Sequence, residues 1–131
     1  MRDLYHNFLA VQAVAPSVKS AAADGAVIDL SGFDSALIVL NTGAIAGDGD
    51  FSAKLQESDT ATPGDFSDVD AADQLGGFPA TLAANAAYRV GYIGSKRKRF
   101  IRVVLTKAGG TSIAAGAVAV LGHPAIAPLA A

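Results

Sequence analysis

Ala87-Tyr88-Arg89-Val90-Gly91-Tyr92-Ile93-Gly94 leads through Ser95-Lys96-Arg97-Lys98 into Arg99-Phe100-Ile101-Arg102-Val103-Val104-Leu105-Thr106. Two runs rich in β-branched and aromatic residues flank a short charged connection. That pattern predicts a hairpin of two adjacent strands. It sets the class of the protein as all-β, and it supplies no chemistry.

Upstream, Asp24-Gly25 marks a turn, and residues 26–30 form a short strand closed by Ser31-Gly32. Residues 33–41 are a nearly continuous apolar run, which predicts a strand buried on both faces. A loop built from Gly43, Gly47, Asp48 and Gly49 follows. Phe51-Ser52-Ala53-Lys54-Leu55-Gln56-Glu57 alternates cleanly, so one face of that strand is wet. Residues 58–77 hold Asp59, Asp65, Asp68, Asp70 and Asp73 and predict a long surface loop, with room for one short helical turn. Downstream, Ala108-Gly109-Gly110 turns the chain into a final strand, 112–121. Strands of this length without a long helix predict a single-domain β-sandwich or jelly-roll-like barrel over residues 25–122. Residues 1–24 are expected to be an extended N-terminal arm packing on the domain or on a neighbour, and residues 123–131 a C-terminal tail.

Hydrophobic residues make up 51% of the 131, but aromatics are 7% and Trp is absent. Much of the apolar count is alanine, so the core depends on a limited set: Val27, Ile28, Leu30, Phe33, Leu37, Ile38, Val39, Leu40, Phe51, Leu55, Tyr88, Val90, Tyr92, Phe100, Ile101, Val103 and Leu105. Help from an oligomer or larger assembly is expected on that basis. The net charge of -2 argues against a general nucleic-acid binder acting by phosphate neutralisation. No cysteine is present, which excludes disulfides, Cys-metal sites and thiol catalysis. No signal peptide is expected, because no unbroken apolar stretch with a cleavage site follows Arg2 and Asp3. Residues 108–131 carry no Asp, Glu, Lys or Arg, but glycines and prolines interrupt them, and a strand with an extended tail fits better than a membrane span.

No catalytic constellation stands out, and an enzyme is not expected. His6 and His123 are the only histidines and lie near opposite ends of the chain. The pairs around Asp48-Gly49-Asp50 and Asp68 to Asp73 lack an EF-hand pattern and are expected to be solvated turns rather than calcium ligands. No cofactor is expected. The run Lys96-Arg97-Lys98-Arg99 admits three readings: a solvated hairpin tip, an anionic-surface contact, or a contact to acidic residues of a partner subunit. The absence of an aromatic platform beside it favours the first.

Several strings resemble a family of small proteins encoded among the structural genes of tailed bacteriophages. They are Met1-Arg2-Asp3-Leu4-Tyr5, Ile28-Asp29-Leu30-Ser31-Gly32-Phe33-Asp34-Ser35-Ala36, Asn41-Thr42-Gly43-Ala44-Ile45-Ala46-Gly47, Lys54-Leu55-Gln56-Glu57-Ser58-Asp59 and Tyr88-Arg89-Val90-Gly91-Tyr92-Ile93-Gly94. The family resembles capsid decoration (cement) proteins, small β-sandwich or jelly-roll domains that bind outside an assembled head. The resemblance implies the major capsid protein as partner, a homo-oligomer with a trimer favoured, and a place on the outer capsid surface of a virion after synthesis in the host cytoplasm. Neither nucleic acid nor membrane is an expected partner. One departure is the row of four basic residues where one or two are expected. Candidate interface residues are Arg2, Leu4, Tyr5 and Phe8 in the arm and Lys96, Arg97, Lys98 and Arg99 in the connection. The alternatives are a virion- or tail-associated module that binds a host glycan and, last, a cupin-like metalloenzyme built on His6 and His123.

Overall fold

The computed structural model describes residues 5–92 and 98–124. Its strands are β1 (Leu9–Lys19), β2 (Ala23–Asp24), β3 (Ile28–Asp29), β4 (Phe33–Ala46), β5 (Asp50–Ser58), β6 (Ser67–Asp68), β7 (Gln74–Leu75), β8 (Ala87–Tyr92), β9 (Phe100–Gly109) and β10 (Ser112–Pro124). They form two antiparallel sheets. Sheet A runs β1-β10-β4-β8-β7, and sheet B runs β2-β9-β5-β6 with β3 also on β9. β2 and β3 act as one interrupted strand along β9, because Gly25 N–H donates to the Val103 carbonyl and Leu30 N–H to the Arg99 carbonyl. Numbering that pair as one strand and setting the β7 edge aside, the sheet orders are 1-8-3-6 and 2-7-4-5. This is the double Greek key of a jelly roll.

The expected hairpin does not form. β8 pairs with β4 in sheet A, while β9 pairs with β5 in sheet B. β8 and β9 therefore lie in different layers. Adjacent strands in sequence became partners of β4 and β5 instead, which supply long apolar faces that a short hairpin would leave uncovered.

One long ribbon organises both layers. β4 pairs with β10 and β5 with β9, and pairing resumes across the bend, from Ala46 opposite Ser112 to Asp50 opposite Gly109. The turns 47–49 and 110–111 lie side by side, with Thr111 N–H donating to the Gly47 carbonyl. Gly110 adopts φ +75°, and a Cβ there would overlap the Asp48 carbonyl and come 2.5 Å from the Gly49 Cα. Two backbones cross at that corner with no room for a side chain.

The core lies between the sheets. Ile38, Leu40, Val90, Tyr92, Ile113 and Leu121 enter from sheet A; Phe51, Leu55, Ile101, Val103 and Leu105 enter from sheet B. Leu82 and Val69, from the connecting segments, close the core and were absent from the expected set. β5 alternates as expected, with Phe51 and Leu55 buried. β4 does not bury both faces: Ala36, Ile38 and Leu40 point inward, whereas Leu37 and Val39 are only half-buried on the outside. β4 also runs on through residues 42–46, expected to be loop, because β10 continues to pair with it there.

Within residues 1–24, Leu9–Lys19 is strand β1, hydrogen-bonded along β10 at the edge of sheet A, with Ala13 and Val14 in the core. The uncharged stretch beginning at residue 108 contributes β10 as far as Pro124. Among the described residues no helix is long and apolar enough to cross a membrane.

Candidate interaction surface

The outer faces of the two sheets differ in chemistry. On sheet B, Arg102 Nε and Nη2 both donate to Gln56 Oε1, at 2.9 and 2.8 Å. Gln56 Nε2 donates to Asp68 Oδ1 at 2.9 Å, and Lys54 Nζ lies 3.1 Å from the same oxygen. Arg102 Nη1 reaches Asp24 at 3.6 Å, and its guanidinium sits 4.5 Å from the centroid of the Phe66 ring. Ser52 and Thr106 join their hydroxyls across β5 and β9. The hydrogen bond from Gln56 and then the contact with Lys54 hold the Asp68 carboxyl below the usual range. Every charge in this chain of contacts has an opposite partner, so the face is content in water.

Among the described residues, no ion pair is seen on the outer face of sheet A. Cross-strand registers place Ala10, Val120, Leu37 and Gly91 in one outward row. Gln12, Val118, Val39 and Arg89 form the next, and Gly116, Asn41 and Ala87 a third. Val18 stands beside Ala114 at the end. Arg89 is the one ionisable side chain in these rows. Val18 is 68% exposed, Leu75 58% and Val118 42%. A groove of about 600 Å³ crosses β1, β10 and β4 here, with Val14, Pro16, Val18, Val39 and Val118 among its walls. Four strands about 4.8 Å apart, each ~26 Å long, make a face on the order of 500 Å². The largest apolar patch of a single chain is typically ~300–600 Å² and is often functional.

The residues singled out from sequence are dispersed. Arg2, Leu4, Lys96 and Arg97 lie outside the described residues. Tyr5 is 65% exposed, with its ring edge-on to His6 at 5.1 Å. Phe8 is half-buried on its own chain, its ring so close over Gly122 that a Cβ there would come within 2.8 Å of it. Lys98 lies 3.8 Å from Asp59, and its N–H donates to the Tyr92 hydroxyl at 2.9 Å. Arg99 forms a two-pronged pair with Asp29, Nε and Nη2 each at 2.9 Å from a carboxylate oxygen. Acidic residues of the same chain thus hold the two described members of the basic run. Among the described residues no three His, Asp or Glu side chains group as metal ligands.

The Asp29–Arg99 pair makes a pH prediction. The hydrogen bond from Arg99, then that from the Ser31 N–H, lowers the Asp29 pKa from 3.8 to about 2. A carboxyl lowered by folding contributes stability above its unfolded pKa and loses it as pH falls through the folded one. Stability from this pair is therefore present above pH 3.8 and lost on acidification towards about pH 2. The pair is exposed, so the effect is small. An NMR titration of the Asp29 carboxyl should show a midpoint near 2, and Arg99→Ala should return it towards 3.8.

The outer face of sheet A was missed from sequence, although it left a signal. The run 33–41 carries the composition of a strand covered on both sides, and one side is open in the single chain.

No known protein family matches the chain, and no curated protein matches it. Among solved structures it is similar to a chain in the structure of infectious bursal disease virus, Gx strain, at 14% identity and a TM-score of 0.45. The match covers 92% of this chain and 35% of the other.

Proposed function

We propose that this chain is a capsid decoration protein of a tailed bacteriophage, binding the outer surface of the assembled head and stabilising it. The observation that carries the reading is the contrast between the two sheet faces. Sheet B is finished with paired charges, whereas sheet A leaves strand-core composition open to water. Such a face gains by being covered: at ~25 cal/mol per Å², even partial burial of a 500 Å² patch is worth several kcal/mol before the costs of association. A standard stable interface buries ~800 Å² per partner, so one such contact is modest. Many copies on a repeating shell turn modest contacts into firm attachment.

Two further features support the reading. The resemblance of five segments to small structural proteins of tailed phages supplies the setting. The disulfide-free jelly roll supplies a stiff body whose hydrogen-bonded corner holds both sheets together. The major capsid protein is the proposed partner.

The test is quantitative mass spectrometry of purified virions followed by cryo-electron microscopy of the head. The expected result is a copy number comparable to that of the major capsid protein, with the chain forming knobs on the outside of the shell. A handful of copies at the tail or neck would overturn the decoration role and favour host recognition. Absence from the particle would overturn any virion role.

A further inference from the structure

We propose that the outer face of sheet A joins two copies of this chain about a two-fold axis along the row Ala10, Val120, Leu37, Gly91 and Leu75. Such a pair rests on the same open face as the capsid reading and covers it while no shell is present.

Charge points to the occupant. Among the described residues, Lys54, Lys98, Arg99 and Arg102 each lie against a carboxylate. Lys19 and Lys107 donate to the backbone carbonyls of Ala15 and Ser20, which leaves Arg89 as the one described cation with neither kind of partner. Arg89 is exposed and borders an apolar notch of about 320 Å³ formed with Leu37, Leu75 and Gly91. An arginine in that position calls for a carboxylate, which it can hold in a two-pronged pair. Asp73 supplies one at the same edge of the sheet. It ends the short turn 71–73 before β7, and among the described residues no cation meets it.

The register makes the two charges reciprocal. Leu75 of β7 lies opposite Gly91 of β8. Arg89 is two positions from that row on one side, and Asp73 is two positions from it on the other. A two-fold axis along the row exchanges the two sides, so Arg89 of each copy comes to Asp73 of the other and both pairs form together. Other axes lack this match. Along the next row, through Val118 and Val39, Arg89 would meet Arg89. Along the strands, β1 and β8 would exchange and Arg89 would lie over Gln12.

The chosen axis also matches apolar groups. Leu37 meets Leu37 and Val120 meets Val120, while Val118 comes over the Phe8 ring, which lies on Gly122 of its own chain. Covering ~500 Å² on each copy buries ~1,000 Å² in all, the lower bound for a specific interface. The pair is therefore a weak one, able to open when a larger partner takes the face.

Sedimentation equilibrium and light scattering of the full chain, without virions, should show a mass that rises with concentration to two chains. Arg89→Asp and Asp73→Arg should each fold by circular dichroism and stay at the mass of one chain. Mixed one to one they should pair again, because each then meets the opposite charge on the other. The chain has no cysteine, so the axis can be located by adding one. Facing sheets lie ~10 Å apart, so a short bismaleimide should join copies of Leu37→Cys and leave Ser67→Cys, exposed on sheet B, single. A full chain that stays monomeric, a closed ring of three, charge variants that pair as well as the unaltered chain, or a mixture that does not associate would each overturn the pair. None of these results bears on the copy number in virions, so the capsid reading is decided separately.

Discussion

Gly110→Ala will lower the stability of the fold by about 2–4 kcal/mol, while Gly109→Ala next to it will change stability by ~0.5 kcal/mol or less. Gly110 holds φ +75°, which a side chain disfavours, and its added Cβ would run into the Asp48 carbonyl and the Gly49 backbone. Neither obstacle is the tip of a flexible side chain, so the opposing turn has to move. That turn carries β4 into β5 and is hydrogen-bonded to the turn that carries β9 into β10. Displacing it disturbs register in both sheets together. For a chain of this size the loss corresponds to a fall in Tm of roughly 10 °C or more. At Gly109 a Cβ would meet nothing within 4 Å, which makes it the matched control. Thermal unfolding of the two variants decides the matter; equal midpoints would show that the corner is not a point of close crossing.

The second large effect is expected at Tyr92. Its side chain is fully buried at the end of β8, its hydroxyl donates to Glu57 Oε1 of β5 at 2.6 Å, and it accepts the Lys98 N–H at 2.9 Å. One side chain thus ties sheet A to sheet B and fixes the chain where it re-enters as β9. Tyr92→Phe keeps the ring and abandons both partners, at about 1–3 kcal/mol, since a carboxylate hydrogen bond is stronger than a neutral one. Tyr92→Ala also empties the ring's volume in the core and should cost about 3–5 kcal/mol or more. Denaturant unfolding of both variants separates the hydroxyl from the ring. A Tyr92→Phe chain as stable as the unaltered one would mean that the hydroxyl contributes nothing and that packing alone holds the crossing.

The all-β class and several strands were legible because their periodicity is local. Phe51, Ala53 and Leu55 announce the inner face of β5 without reference to any other strand. Partner choice was not legible. A charged connection between two β runs suits a tight hairpin as well as a crossing between layers, and what decides is the demand of β4 and β5 for cover, more than thirty residues upstream. The pairs β2, β3, β6 and β7 are each two residues long and show no period at all. Val69 and Leu82 were missed for a related reason: each is a single apolar residue in a polar or small-residue stretch, recruited by a core whose shape the stretch does not determine.

The same distance hid the surface chemistry. Asp29 and Arg99 are seventy positions apart and Asp59 and Lys98 nearly forty, so the sequence hid that both described members of the basic run are answered within the chain. Val18, Val39 and Val118 gather on one face only because β1, β10 and β4 are neighbours. Each valine by itself is an ordinary strand residue.

The pairing of β1 with β10, Leu9 opposite Leu121, has a consequence in time. A ribosome adding roughly 5–20 residues per second needs several seconds or more to make the stretch between them. Throughout that interval β1 exists without the strand it will lie against, and β4 lacks its neighbour on the same side. Sheet A is therefore completed only after β10 has emerged, and a nascent chain stalled before residue 112 should bind a holdase chaperone that releases the finished protein.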